Sequence, residues 1–324
     1  MEDIEFLDNP SQDDWILCVD LSYNHDHWAL NYNDWPAWKS AFPDGANVYY
    51  AKTKSSKEVV GFCTSSTAKS LDGQDELSSI GCFFVHPDYR SLGIGSKLFE
   101  SVIRPKREAK KNMTIVAVID MSAKYDKRHG FDKYCEFEYE SYLIPMDTMD
   151  LEVLEVESKR YTEGLDKKGI EVLDVSEVLD EKILEFDRKI VKFDRTKYVP
   201  TWIRRADNYS KVAVEKSTGD VVGYASLRNG RGEQLMFSPI FADNEEIAFG
   251  LVLSTIRAVP NLKSHRSLFF SPPSTNNSIL ELIGKLSNGA YKVKESLRRQ
   301  FTSEAPSLDE KRIFTFTLYG LVFV

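Results

Sequence analysis

The residues best placed to do chemistry are Arg90-Ser91-Leu92-Gly93-Ile94-Gly95, between an apolar run at 80–85 and a segment with helical apolar spacing from Ser96 onward. A strand, a loop with two glycines and a helix, in that order, bunch free backbone N–H groups at the positive end of a helix dipole. That is an anion site, and a diphosphate fits it. Pro87 ends the strand, because proline has no N–H to give to a ladder. The Gly-Lys-Ser/Thr ending of a triphosphate loop is missing, and Leu98 stands where a dinucleotide fingerprint needs its third glycine. The short form Arg-x-x-Gly-x-Gly is what remains.

A second set of side chains could move protons or carry a group. His86 follows the strand, and histidine is the side-chain type whose free pKa suits a base near neutral pH. Glu76 precedes it. A short helical segment at 124–131 ends in Gly130-Phe131. Cys82, inside the apolar run, reads as core. His25-Asp26-His27 offers two imidazoles with no third ligand in view, so no metal is expected. Cys18, Cys63, Cys82 and Cys135 show no CxxC spacing and read as free thiols.

These groups need elements to hold them. A helix is expected from Ser11, with early acids after its cap. Four of the five tryptophans lie before residue 40, among them Trp28, Trp35 and Trp38. They read as packing of the first helices onto a sheet, with some lining a pocket. Strands are expected at 47–51, 58–64 and 113–119, and a longer one at 134–142. The charged stretch 147–168 reads as a passage between domains. The remainder repeats the first half in outline. Strands are expected at 170–173, 211–214, 219–224, 234–239, 267–270 and 313–318, with helices at 176–192 and 245–253 and another from Asn277. Val221-Val222-Gly223-Tyr224 repeats Val59-Val60-Gly61-Phe62, and Phe-Asp-Arg occurs twice, at 186–188 and 193–195. The repeat lacks the glycine loop. Asp243, Glu245 and Glu246 stand there instead, and carboxylates repel a diphosphate.

Val85-x-Pro87-x-Tyr89-Arg90-x-x-Gly93-x-Gly95 closely resembles the pyrophosphate loop of the GNAT family, the Gcn5-related N-acetyltransferases. The 124–131 segment resembles the family's second signature. The whole arrangement is similar to two-domain GNAT proteins whose C-terminal half is a divergent module of the holothin acyltransferase type. The fold class this implies is α/β (α+β): tandem GNAT folds, each a mixed, mostly antiparallel twisted sheet flanked by helices. It implies a catalytic, acetyl-CoA-binding domain at 1–148, a linker at 149–168 and a divergent domain at 169–324. The implied reaction is acyl transfer from acetyl-CoA, as co-substrate, to a small amine or peptide amine. Arg90, Ser91, Leu92, Gly93, Ile94, Gly95 and Ser96 would hold the diphosphate. The backbones of Phe83, Phe84 and Val85 would hold the pantetheine arm and the thioester oxygen. Tyr125 is the candidate acid, one residue before the family's usual position, which is Asp126 here. Glu76, His86 and Asp120 are candidate bases, and a chain of waters is the other route for the proton. Trp28, Asp34 and Trp35 are candidate acceptor contacts. The other reading is a non-catalytic CoA-binding or protein-interaction module on the same fold.

With 324 residues, 42% hydrophobic and 28% charged, the chain suits about two globular domains. A net charge of −8 argues against nucleic acid as a partner and suits a cationic substrate. No apolar run is long enough to span a bilayer, so no membrane partner is expected. The acidic start, Glu2-Asp3-Ile4-Glu5, shows no signal-peptide pattern, and a cytoplasmic location is expected.

Overall fold

The computed structural model describes residues 2–43 and 45–317, which fall into two compact units. Unit 1 is residues 2–134 with Arg299–Ala305, and unit 2 is Cys135–Arg298 with residues 306–317.

Unit 1 runs β1 (Ile4–Asp8), α1 (Gln12–Asp26), α2 (Asp34–Ala41), β2 (Asn47–Thr53), β3 (Val59–Lys69), β4 (Glu76–Val85), α3 (Ile94–Glu108), β5 (Asn112–Val118), α4 (Ile119–His129) and β6 (Lys133–Tyr134). Its sheet has the order β1-β2-β3-β4-β5, antiparallel except for the parallel pair β4–β5. Ser11 caps α1 through its side chain, which accepts from the Asp14 N–H. α3 buries Ile94, Leu98, Phe99, Val102 and Ile103, which are spaced along one stripe. Gly130 ends α4 in the left-handed region, φ 76°, and returns its N–H to Asp126. The core of this unit joins α3, α4 and the sheet through Cys63, Ile80, Leu98, Phe99, Ile115, Tyr125 and Phe131.

Unit 2 holds β7 (Tyr139–Pro145), α5 (Leu151–Lys167), β8 (Ile170–Asp174), α6 (Asp180–Ile190), α7 (Tyr198–Ile203), β9 (Asn208–Glu215), β10 (Val221–Gly230), β11 (Gln234–Ala242), α8 (Glu245–Arg257), β12 (Ser267–Phe270), α9 (Ile279–Leu286), most of β13 (Lys292–Phe301) and β14 (Ile313–Thr315). Strands β8-β9-β10-β11-β12 repeat the order of unit 1, again with one parallel pair, β11–β12.

The repeat holds in detail. A Cβ on Gly61 would stand 2.9 Å from the Phe84 carbonyl oxygen and 3.2 Å from Leu98 of α3. A Cβ on Gly223 would stand 2.9 Å from the Phe241 carbonyl oxygen and 3.0 Å from Leu251 of α8. Each glycine therefore lets its helix sit close on the sheet. His86 donates its N–H to Val60, and Asp243 donates to Val222, both at 2.9 Å.

The strand after the parallel pair comes from an unexpected part of the chain in both units. In unit 2 it is β7, which precedes that unit's other strands. In unit 1 it is the last part of β13 with the residues just after it, where Thr302 donates its N–H to Met113 at 3.0 Å. The expected strand at 134–142 is accordingly split between β6 and β7. The expected passage at 147–168 is the helix α5. Its charges lie outward, while Leu154, Ser158 and Leu165 are buried at helical spacing, and Gly250 of α8 leaves room for Leu165. β1, α2, α7 and β13 carry no expectation from the sequence. Leu318, expected to end the last strand, lies outside the described residues. Among the described residues no helix is long and apolar enough to cross a membrane, and no cluster of ligating side chains could hold a metal ion.

Candidate active site

The site grows out of the way β4 leaves β5. Their parallel ladder covers Leu77 to Ile80 on β4 and Asn112 to Ile115 on β5, then stops, although β4 continues to Val85 and β5 to Val118. A bulge sits where they part. Cys82 has φ +45°, and the register with β3 shifts between Phe62 and Thr64. A bulge bends its strand and re-aims the residues past it. Beyond it, His86 gives its N–H to Val60 and the Phe84 carbonyl faces Gly61. Ladder alternation therefore turns the Phe84 amide toward β3, and those of Phe83 and Val85 toward the open edge. The Val85 carbonyl accepts from Arg90 Nε at 3.0 Å, which ties the loop to the strand end. Val118 and Ile119 leave an exposed apolar rim at the open end of β5.

The glycine loop comes after a single helical turn, Pro87–Tyr89. Arg90 N–H is spent on Pro87 at 3.1 Å, and the first bond of α3 runs from Lys97 to Gly93 at 3.1 Å. Among the described residues, no protein acceptor meets the N–H groups of Ser91, Leu92, Gly93, Ile94, Gly95 or Ser96. Ser91, Leu92, Gly93 and Ser96 are exposed. Ser91 (φ 65°) and Gly93 (φ 84°) alternate the backbone hand, which makes a concave nest of donors at the start of α3. Gly95 serves closeness rather than conformation. A Cβ there would stand 3.2 Å from both Phe83 and Val85 side chains.

The structure sorts the sequence candidates. Phe83 points to the α3 face, its ring 5.3 Å from Phe99, and Phe84 points to the α1 face, 5.5 Å from Trp28. Trp28 is half-buried beside Phe84 and Phe62, open enough to meet a ligand. Asp34 and Trp35 are not. Asp34 is fully buried and accepts from the Asn31 N–H at 2.8 Å, and Trp35 is buried with its indole N–H on Pro10 at 3.1 Å. Both hold α2 to the chain before it. The Phe84 N–H, a candidate for the thioester oxygen, belongs to the β3 ladder, whereas the Val85 N–H faces the open edge. Tyr125 packs 5.4 Å from Phe99 and 6.5 Å from Phe131, and burial pushes its phenol well above the ordinary range. It stays protonated at neutral pH, as an acid must.

Glu76 sits at the opposite end of β4, roughly 30 Å of strand from Val85. It is paired with Lys111 at 2.6 Å, whose hydrogen bond holds the carboxyl below its usual range. A group that is remote and already ionised in a surface pair is a poor base for the open edge. Glu76→Gln is expected to leave the turnover of any acyl acceptor within about twofold of wild type, in keeping with a surface pair of small worth. Steady-state kinetics of the variant checks this.

Unit 2 lacks the cradle. α8 starts at once after Asp243, and its own cap, Asn244 Oδ1, accepts from the Ile247 N–H at 3.1 Å. Glu245 and Glu246 occupy its first turn, and Glu246 is paired with Lys168. Sequence reasoning missed one group in this unit. Asp187 and Arg195, from the two Phe-Asp-Arg copies, form a buried two-pronged pair at 2.7 and 3.1 Å, and the Tyr224 hydroxyl donates to Asp187 at 2.6 Å. The doubled tripeptide was its signal.

Known proteins share this architecture. Residues 183–315 match the family model of an acetyltransferase (GNAT) domain. A candidate acetyltransferase from Pyrococcus horikoshii shares the fold at a TM-score of 0.67 and 17% identity, over 99% of this chain and 96% of that one. A tandem GNAT protein from the clavulanic acid biosynthesis pathway does so at 0.63 and 16%, over 94% and 99%. Residues 1–190, more than half of the chain, match the model of a family described as a protein of unknown function (DUF1248). The chain belongs to that family, on a tandem GNAT fold. This tandem GNAT chain is also similar to Saccharomyces cerevisiae N-myristoyltransferase with bound myristoyl-CoA, at a TM-score of 0.58 and 10% identity, over 100% and 90% of the chains. At these identities the likeness is one of fold. No curated protein matches the chain in sequence.

Proposed function

We propose that unit 1 binds an acyl-CoA, with acetyl-CoA as the simplest case, and transfers the acyl group to an amine. The observation that carries this reading is the free amide nest at Ser91–Ser96 beside a strand edge left open by the β4–β5 separation. The nest suits a diphosphate, since each amide is unpaired and the helix dipole adds to the attraction. The open edge of Phe83 and Val85 suits the amides of a pantetheine arm, which would lie along it like an added strand. The Val85 N–H suits the thioester oxygen, which gains negative charge on attack. One such donor is worth about 10²–10³ in kcat. Tyr125, protonated, suits return of a proton to the departing thiolate. Trp28 and Phe84 form an apolar wall on the α1 face, suited to the carbon part of an amine. Unit 2 has no role in cofactor binding in this reading, since its own helix start is capped and acidic.

The test is calorimetry with CoA, then thiol release from acetyl-CoA with four acceptors: butylamine, tyramine, spermidine and a lysine-bearing peptide. Micromolar CoA binding with turnover of at least one amine is the expected result. CoA bound without turnover of any amine would leave a non-catalytic binding module. No CoA binding would end the reading altogether.

A further inference from the structure

His86 lies closest in sequence to the open edge, yet its geometry makes it a poor proton acceptor. Its Nδ1 accepts the Asp88 N–H at 3.1 Å. A neutral imidazole has one lone pair on a ring nitrogen and one N–H. With the lone pair engaged on Nδ1, the proton sits on Nε2, and the ring can only donate there. A second imidazole stands against it. His25, on the last turn of α1, has its ring centroid 4.4 Å from that of His86 at 75°, and it stacks on Phe84 at 6.2 Å and 28°. His25 is exposed, and among the described residues neither of its ring nitrogens meets a hydrogen-bond partner. It thus holds an uncommitted lone pair on the α1 face, beside Trp28 and Phe84, where the proposed acceptor amine would enter. Charged and titratable neighbours are Asp26 on its own helix, Asp88 and Tyr89 on the turn, and Arg90, whose guanidinium lies 4.0 Å from Asp26 and 5.7 Å from the Phe84 ring centroid.

We propose that His25 is the general base for the acceptor amine and that His86 is a positioning residue that holds the His25 ring through the edge-to-face contact. This rests on the acyl-transfer reading. An ammonium acceptor gives one proton to a ring nitrogen of His25. The freed amine nitrogen attacks the thioester carbonyl, a C–N bond forms, and the C–S bond breaks with its electron pair going to sulfur. The second amine proton ends on that sulfur, with Tyr125 as the relay, and His25 returns its proton to solvent. The products are the amide, free CoA thiol and one proton.

Two measurements on the full chain test this. The first is kinetics with acetyl-CoA and the fastest of the four amines. His25→Gln should lower kcat/KM at least about 100-fold and remove the rising limb of its pH profile, as loss of a general base does. His86→Asn, whose side-chain oxygen still accepts from Asp88, should lose less than about tenfold and keep the limb. A mild His25→Gln effect with a severe His86→Asn effect overturns the assignment, as does a mild effect in both. The second is nitrogen-15 NMR of the imidazoles, which needs no turnover. It should show His86 protonated on Nε2, and a His86 protonated on Nδ1 overturns the assignment. Turnover that survives His25→Gln removes this inference alone, whereas no turnover of any amine by the wild-type chain removes both it and the acyl-transfer reading.

Discussion

Gly95→Glu is expected to abolish CoA binding, with a loss of at least about 100-fold in affinity, or ~2.7 kcal/mol. Two effects act together. A Cβ at this position would stand 3.2 Å from the side chains of Phe83 and Val85, which must give way by a few tenths of an ångström where α3 rests on the strand. The carboxylate would then sit in the first turn of α3, where free amides are the natural partners of a negative charge. It would take up those donors and repel a diphosphate. Ser96→Glu separates the two effects. Ser96 is exposed and lies in the same first turn, where a glutamate favours the helix by about 0.3–1 kcal/mol. That variant should melt no lower than wild type while binding CoA at least about tenfold more weakly. Calorimetry and thermal melts of both chains decide it. Unchanged CoA affinity in both variants would show that the cofactor does not sit on these amides.

The loop was legible because its signal is local. Strand, proline, arginine and two glycines lie within sixteen residues, and each has one physical meaning in that order. The Val-Val-Gly pair at 59–61 and 221–223 was legible for the same reason, since a glycine among β-branched residues marks a close approach. The β4 bulge was not. Cys82 adopts a positive φ without being glycine, so nothing in its type announces the turn that opens the site. Closure of unit 1 by Arg299–Ala305 was also out of reach, because Thr302 and Met113 are far apart in the chain and pair through backbone groups that any sequence carries. α5 does not show as a helix in the sequence, because its charge density hides the stripe of Leu154, Ser158 and Leu165. Asp34 and Trp35 show a different gap. Residue type says that an aromatic and an acid near a pocket can bind a ligand, but not which way a side chain points, and both turn inward to hold α2.

The candidate base was illegible for a related reason. His86 stands in the right place by spacing alone. The competing fact, an Asp88 N–H on its Nδ1, comes from the tight turn after Pro87 and is a matter of geometry. His25 reaches the same spot because α1 ends there. His27, in the left-handed region with φ 53°, closes that helix on the Tyr23 carbonyl, so the last turn stops beside β4 rather than running past it.

The second large effect concerns stability. Asp187→Ala is expected to destabilise unit 2 by about 3–5 kcal/mol, because it strips a buried cation of its partner. Arg195 and Asp187 side chains are 2% and 1% exposed, so water cannot replace the lost carboxylate. The pair is set firmly: two hydrogen bonds join the guanidinium to the carboxylate, Arg195 also donates to the Tyr224 hydroxyl at 3.0 Å, and its guanidinium packs against the rings of Phe241 and Tyr198. Burial first, and the Asp187 charge second, push the Tyr224 phenol far above its ordinary range, so it serves as a neutral donor to Asp187. Removing Asp187 takes away the carboxylate that accepts from both the guanidinium and the Tyr224 hydroxyl. Replacing the pair together, as Asp187→Leu with Arg195→Met, should recover most of the loss, since apolar groups of similar size remove the buried charges at both ends. Chemical denaturation of a chain in which Trp15, Trp28, Trp35 and Trp38 are replaced by Phe in both wild-type and variant backgrounds reads this through Trp202, the tryptophan of unit 2. If Asp187→Ala alone unfolds within about 1 kcal/mol of wild type, water enters this core freely and the pair does not organise it.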